Sequence, residues 1–229
     1  MCTVTFIPTK EGCIITSNRD EKIAREKAIP PQSYEINTKK IIFPKDQKAG
    51  GTWIAHTEDK IVVLLNGAQE KHVVKPSYRK SRGLIVVEIA GANNSLAFWK
   101  TIDLTEVEPF TIVLFENSKL FQLQWNEIKK SQQELAVSEN HIWSSSTLYS
   151  KEIRTERAKW FTNFMLKNAN PTAKDILNFH QFTESDNSEF GLQINRNNLL
   201  KTISITQCFV SKNKIQMSYL DLMENYEQV

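Results

Sequence analysis

Short apolar stretches separated by polar turns dominate the chain. Residues Cys2 to Ile7 and Gly12 to Asn18 are rich in Thr, Val, Ile and Phe, with Pro8-Thr9-Lys10-Glu11 between them, the pattern of two paired strands. Trp53 to His56 and Lys60 to Asn66 read as a second hairpin turning at Thr57-Glu58-Asp59, which lays Asn66 close to Gly51 in a simple register. Phe110 to Phe115 and Leu120 to Trp125 form a third around Asn117-Ser118, His141 to Ser145 a further strand, and Ile203 to Leu220 a closing hairpin. Helical signals lie between them. Ser81 to Ala90, with Ser81 as N-cap, and Ser95 to Ile102 are predicted helices covering one sheet face. From Ser150 to Leu166 the apolar residues Ile153, Trp160, Phe161, Phe164 and Met165 recur at helical spacing, with Lys and Arg on the other face, and Thr172 to Phe182 follows as a fourth helix. Ile23 to Gly51 reads as a long irregular stretch. It holds Pro30-Pro31, an edge strand at Ile41-Ile42-Phe43 and the Gly50-Gly51 pair, and is expected to act as a lid. The sum is an α+β layout of sheets between helices in one domain spanning residues 1–229.

Composition narrows the function classes. With 229 residues and 40% hydrophobic content the chain can bury one sizeable core. Its 29 basic and 26 acidic side chains are spread along the sequence for a net charge of +3, so no nucleic-acid stripe stands out. The longest strongly apolar run, Ile61 to Leu65, is far too short to cross a bilayer, and no signal peptide is legible, so the expectation is a cytoplasmic protein without a membrane span. Cys2, Cys13 and Cys208 are few and odd in number, which suits a reducing compartment; Cys13 and Cys208 read as buried, inert thiols. The four histidines lack metal-ligand spacing, so neither metal nor cofactor is expected. The sequence leaves oligomeric state open.

Position gives Cys2 its interest. Once the initiator Met is trimmed, residue 2 carries both a thiol and a free α-amine, titrating near ~8.5 and ~8, so the amine can serve as the thiol's own base. Pairing Ile7 with Gly12 sets Cys2 opposite Ser17 and brings Asn18, Arg19 and Asp20 beside the amino terminus. Arg19 would lower the thiol pKa and hold a substrate carboxylate or carbonyl, and Asp20 would accept from the α-ammonium. Taken alone, Arg19 and Asp20 read as a surface ion pair worth ~0 to 1 kcal/mol; the hairpin to Cys2 changes that reading. Glu21 reads as a structural acceptor for a backbone amide or Arg25.

The opening Met-Cys-Thr, the run Asn18-Arg19-Asp20-Glu21 and the later Gly50-Gly51-Thr52-Trp53 resemble the NRDE family, to which the transport and Golgi organisation 2 proteins belong. Asn66 at a strand end and Ser81-Arg82-Gly83 opening a helix extend the match. That family is similar in turn to the Cys-type N-terminal nucleophile hydrolases, which include penicillin V acylase and bile salt hydrolase. The resemblance implies a four-layer αββα sandwich and amide hydrolysis, with Cys2 as nucleophile, Arg19 and Asp20 around it and Asn66 in the oxyanion hole. Asn18, Gly51, Trp53, Ser145 and Ser146 border this set as candidate substrate contacts, each with a plainer role as turn, core or strand-end residue. The acylases carry a further Asn on a later strand, where Ile142 to Thr147 offers hydroxyls instead, and Arg196 is available as a C-terminal arginine. Two functions are therefore expected: hydrolysis of a small-molecule amide, or carriage of a hydrophobic ligand (lipid, acyl-CoA or haem) in the same pocket.

Overall fold

The computed structural model describes residues 3–212 and 214–223, which form two compact units. The first comprises residues up to Arg25 together with those from Glu139 onward; the second is Glu26–Ser138. The chain opens in the first unit with β1 (Thr3–Thr9) and β2 (Gly12–Lys22), joined by a two-residue turn at Lys10-Glu11. The predicted four-residue turn is thus too long, because Pro8 and Thr9 stay in the ladder opposite Cys13 and Gly12. Pro8 is tolerated because β1 meets its other neighbour only through Thr3–Phe6, which leaves Pro8 in a stretch flanked on one side. The register moves by two residues. Val4 therefore takes the place opposite Ser17 that the simple pairing gave to Cys2, which itself lies outside the described residues.

The second unit is a seven-stranded antiparallel meander of β3 (Ile29–Ile36), β4 (Lys39–Lys45), β5 (Ile54–His56), β6 (Lys60–Asn66), β7 (Phe110–Glu116), β8 (Lys119–Trp125) and β9 (Lys130–Leu135). Helix α1 (Arg82–Gly91) and α2 (Ser95–Thr101) fall between β6 and β7. The stretch expected to be an irregular lid is instead the β3–β4 hairpin. Pro30-Pro31 concealed it. Their missing N–H groups are accommodated because β3 is the sheet's edge strand and shifts register between Ile29 and Gln32. Helix α1 packs on β4, β5 and β6, burying Ile85, Val86 and Ile89, and Ser81 caps it by accepting from Gly83 N. Beneath it the fully buried Lys60 ammonium lies 2.5 Å from Glu116 Oε1 and donates to Ser95 Oγ and Ala92 O.

The chain then returns to the first unit with β10 (His141–Ser144), α3 (Lys151–Lys167), α4 (Ala173–Phe182), β11 (Asn195–Arg196), β12 (Leu200–Ser211) and β13 (Lys214–Asp221). These complete a second antiparallel sheet, ordered β10-β1-β2-β12, with β11 and β13 pairing different ends of β12. Ile7 and Ile14 of the sheet pack with Phe161 of α3, Ile176 and Phe179 of α4, and Leu192. The predicted apolar stripe of α3 is present. Its supposed basic face is interrupted by Arg157, which has no exposed surface.

Candidate functional site

Alternation along β2 decides which site residues meet. Asn18 and Asp20 point to the face covered by α3 and α4, and Arg19 to the opposite face with Ser17. Arg19 and Asp20 are therefore not an exposed ion pair: both are almost fully buried, at 2% and 3% exposure. Asp20 Oδ2 accepts from the Tyr149 hydroxyl at 2.7 Å and Oδ1 from Thr202 Oγ1 at 2.5 Å. Thr202 is the cross-strand partner of Asp20, and the β-bulge that follows it in β12 lies beside this pair. Glu21 accepts from the Lys22 amide, the structural role expected of it.

Arg157 braces this carboxylate from α3. Its guanidinium lies 3.5 Å over the Tyr149 ring, and Nη1 donates to Thr3 Oγ1 at 2.6 Å. The remaining donors meet the carbonyls of Phe190 and Gly191. Arg196 also faces the Tyr149 ring, at 5.3 Å. Thr3 pairs with Asn18 on one side and Ser144 on the other, so β1 enters the sheet at the point where β2 carries on into Arg19 and Asp20. Ser145 and Ser146 follow β10 there and are buried; Ser145 Oγ accepts from Thr147 N and its carbonyl from Tyr149 N.

Asn18 is held by α4. Its Nδ2 donates to the carbonyls of Leu192, at 2.7 Å, and His180, which orients the amide so that Oδ1 accepts from His180 Nδ1 at 2.7 Å. Nε2 of His180 must then accept from the Thr5 hydroxyl, 2.8 Å away. Full burial, reinforced by the positive charge of Arg157, depresses the imidazole pKa to about 3. Asn18 is consequently a brace with both ends engaged inside the fold.

The second unit holds Gly51, Trp53 and Asn66. A Cβ on Gly51 would stand 2.3 Å from the Gly83 carbonyl carbon, so two motifs far apart in sequence touch backbone to backbone, and Thr52 N donates to Gly83 O. Trp53 is buried and its carbonyl accepts from Leu64 N; Asn66 ends β6 opposite Phe110. Beyond it a cavity of about 350 Å³ opens between residues 68–72 and the β8–β9 turn, lined mostly by polar side chains including Glu70, Lys71, Gln124 and Lys129.

Both Cys13 and Cys208 are buried, as expected, and burial pushes the Cys13 thiol up to about 12 and raises Cys208 as well. Among the described residues no cluster of His, Cys, Asp and Glu is arranged to hold a metal, and no helix is long and apolar enough to cross a membrane. Sequence reasoning missed Tyr149, Arg157, His180 and Thr202. Nothing local distinguishes them, because each has a hydrogen-bond partner more than a hundred residues away.

A variant of conjugated bile acid hydrolase from Clostridium perfringens resembles this chain with a TM-score of 0.51 at 10% identity, over 97% of this chain and 93% of that one. Anbu from Hyphomicrobium sp. strain MC1 aligns at a TM-score of 0.41 and 6% identity, over 98% of this chain and 89% of that one. No curated protein matches by sequence. The described residues form two antiparallel sheets and four helices, and the likeness to the first structure shows the fold, α+β of N-terminal nucleophile hydrolase type. At the sequence level, the model of the Transport and Golgi organisation 2 family matches residues 1–221. With the motifs at Asn18 to Glu21 and Gly50 to Trp53 inside that match, the chain belongs to the Transport and Golgi organisation 2 family.

Proposed function

We propose that the protein hydrolyses a C–N amide bond of a small molecule, with Cys2 as nucleophile after removal of Met1. One observation carries the reading. Thr3, the residue bonded to Cys2, enters the sheet beside Asn18, where β2 continues into a buried arginine and a buried carboxylate held by two hydroxyls. Buried charges are costly unless they are used or compensated, so a carboxylate kept there is suited to a nearby ammonium.

In this mechanism the Cys2 sulfur attacks the amide carbonyl while its proton passes to the α-amine. The ammonium returns that proton to the leaving nitrogen as the C–N bond breaks, leaving a thioester. Water then attacks the thioester, giving one proton to the α-amine; as the C–S bond breaks the ammonium returns that proton to the departing sulfur, and the acid and the free thiol are released. Asp20 steadies the transient ammonium.

Intact mass spectrometry tests the reading. The purified protein should lack Met1 and gain one adduct with an amide-based electrophile, whereas Cys2→Ala should gain none. Retention of Met1, or absence of labelling by a panel of such electrophiles, rejects the mechanism.

A further inference from the structure

Large apolar side chains stand in water at one place in the second unit. Val73, Val74 and Ile128 are 87%, 61% and 86% exposed. Val73 follows His72 and Ile128 precedes Lys129, and both His72 and Lys129 line the cavity of about 350 Å³, so all three apolar residues stand beside one opening. The two loops that carry them are tied together, with Lys75 Nζ 3.1 Å from Glu127 Oε1. Each is also held from within: Asn126 Oδ1 accepts from the amides of Ile128 and Lys129, and Lys75 N donates to the Tyr78 hydroxyl. Single exposed apolar residues are ordinary on a protein surface, but a group of them fixed at a cavity marks an interaction site.

Charge selects what covers them. Residues 68–75 and 126–131 carry four lysines, Lys71, Lys75, Lys129 and Lys130, against Glu70 and Glu127. Glu127 is paired with Lys75, whereas Lys71 and Lys129, both lining the cavity, have no ion-pair partner among the described residues. Gln124, Asn126 and Ser131 add hydrogen-bonding groups to the same lining. We infer that this face docks on a bilayer bearing anionic phospholipids, with Val73, Val74 and Ile128 entering the interface while Lys71 and Lys129 take a headgroup phosphate at the cavity. A stable protein partner needs roughly 20–30 residues a side, and three apolar tips fall far short of that. A membrane surface, in contrast, holds a protein through a few inserted apolar groups combined with lysines, whose attraction to anionic lipid adds to theirs. Such attachment is peripheral and requires no membrane-spanning helix.

Co-sedimentation with vesicles tests the docking. The full chain should pellet with vesicles of equal parts phosphatidylcholine and phosphatidylserine, stay in the supernatant with phosphatidylcholine alone, and be released as salt is raised. Replacing the tips together (Val73→Ser, Val74→Ser, Ile128→Ser) and, separately, the cavity lysines (Lys71→Gln, Lys129→Gln) should each weaken binding by about tenfold or more. All five side chains are exposed, so the melting temperature should hold in both variants. Leu166→Ser, which removes a comparably exposed apolar side chain from the first unit, should bind as the wild type does. Equal binding to vesicles without phosphatidylserine, or unchanged binding in either multiple variant, overturns the inference. Failure of the wild type to pellet does so too, whether the cavity then retains inorganic phosphate, as a free-anion site, or the triple serine variant dissociates a lipid-free dimer, as an interface between copies.

Discussion

His180 shows at the scale of one residue how burial converts a titratable group into a structural one. The Asn18 amide fixes its tautomer, and its pKa of about 3 in the fold compares with about 6.5 in an unfolded chain. A depressed folded-state value means that the unfolded chain takes up a proton first. Stability is therefore fully present above pH ~6.5 and declines as pH falls from there toward 3. At pH 5 this single group should cost about 2 kcal/mol relative to pH 7. Urea denaturation at both pH values should show a smaller difference for His180→Gln than for the wild type, and equal differences would refute the account. Gly51 makes a complementary point about space. Gly51→Ala must drive a Cβ into the backbone of Gly83 and Leu84, neither of which is a flexible side-chain end, and should cost about 3 kcal/mol in the same assay.

Elements gain their ends from local chemistry and their stability from packing. Helix α4 opens with a complete capping box, Thr172 accepting from Asp175 N and Asp175 returning the bond to Thr172 N. Thr172→Ala should lower stability by about 1 kcal/mol. The β3–β4 turn is less well served. Asn37 and Thr38 have φ of 51° and 65°, a left-handed conformation that Asn tolerates and a β-branched residue resists. Thr38→Gly should therefore raise the melting temperature, by a gain of about 0.5 to 1 kcal/mol; a drop would show that the Thr38 hydroxyl bond to Asn37 O outweighs the strain.

Connectivity differs between the two units of the molecule. Residues 26–138 pair only with sequence neighbours along the meander, whereas the other sheet joins β1 and β2 to β12 across some 180 intervening residues. Loop-closure entropy penalises the second arrangement. Pulse-labelled hydrogen exchange during refolding should accordingly find β5–β8 protected before β1, β2 and β12; the reverse order would contradict this. Thiol accessibility offers a second whole-chain readout. Of the three cysteines, Cys13 and Cys208 are buried with raised pKa, so native protein should resist alkylation at both, and each should label once unfolded.

Period and turn chemistry in the sequence by themselves determined the four helices of the described residues, the cap at Ser81, and the hairpins at Thr57–Asp59 and Asn117-Ser118, because these depend on residues within a few positions of one another. The motifs at Asn18 to Glu21 and Gly50 to Trp53 likewise carried the family in their order alone. Pro30-Pro31 misled, since a proline signals a break unless the strand is known to lie at an edge, and edges exist only in an assembled sheet. Tertiary structure alone decided that Arg19 and Asp20 are buried, that Asn18 is a brace, and that Arg157 is buried with its guanidinium over the Tyr149 ring. A buried polar group is defined by its partners. Here those partners come from β12, α3 and α4, which no local pattern could place against β2.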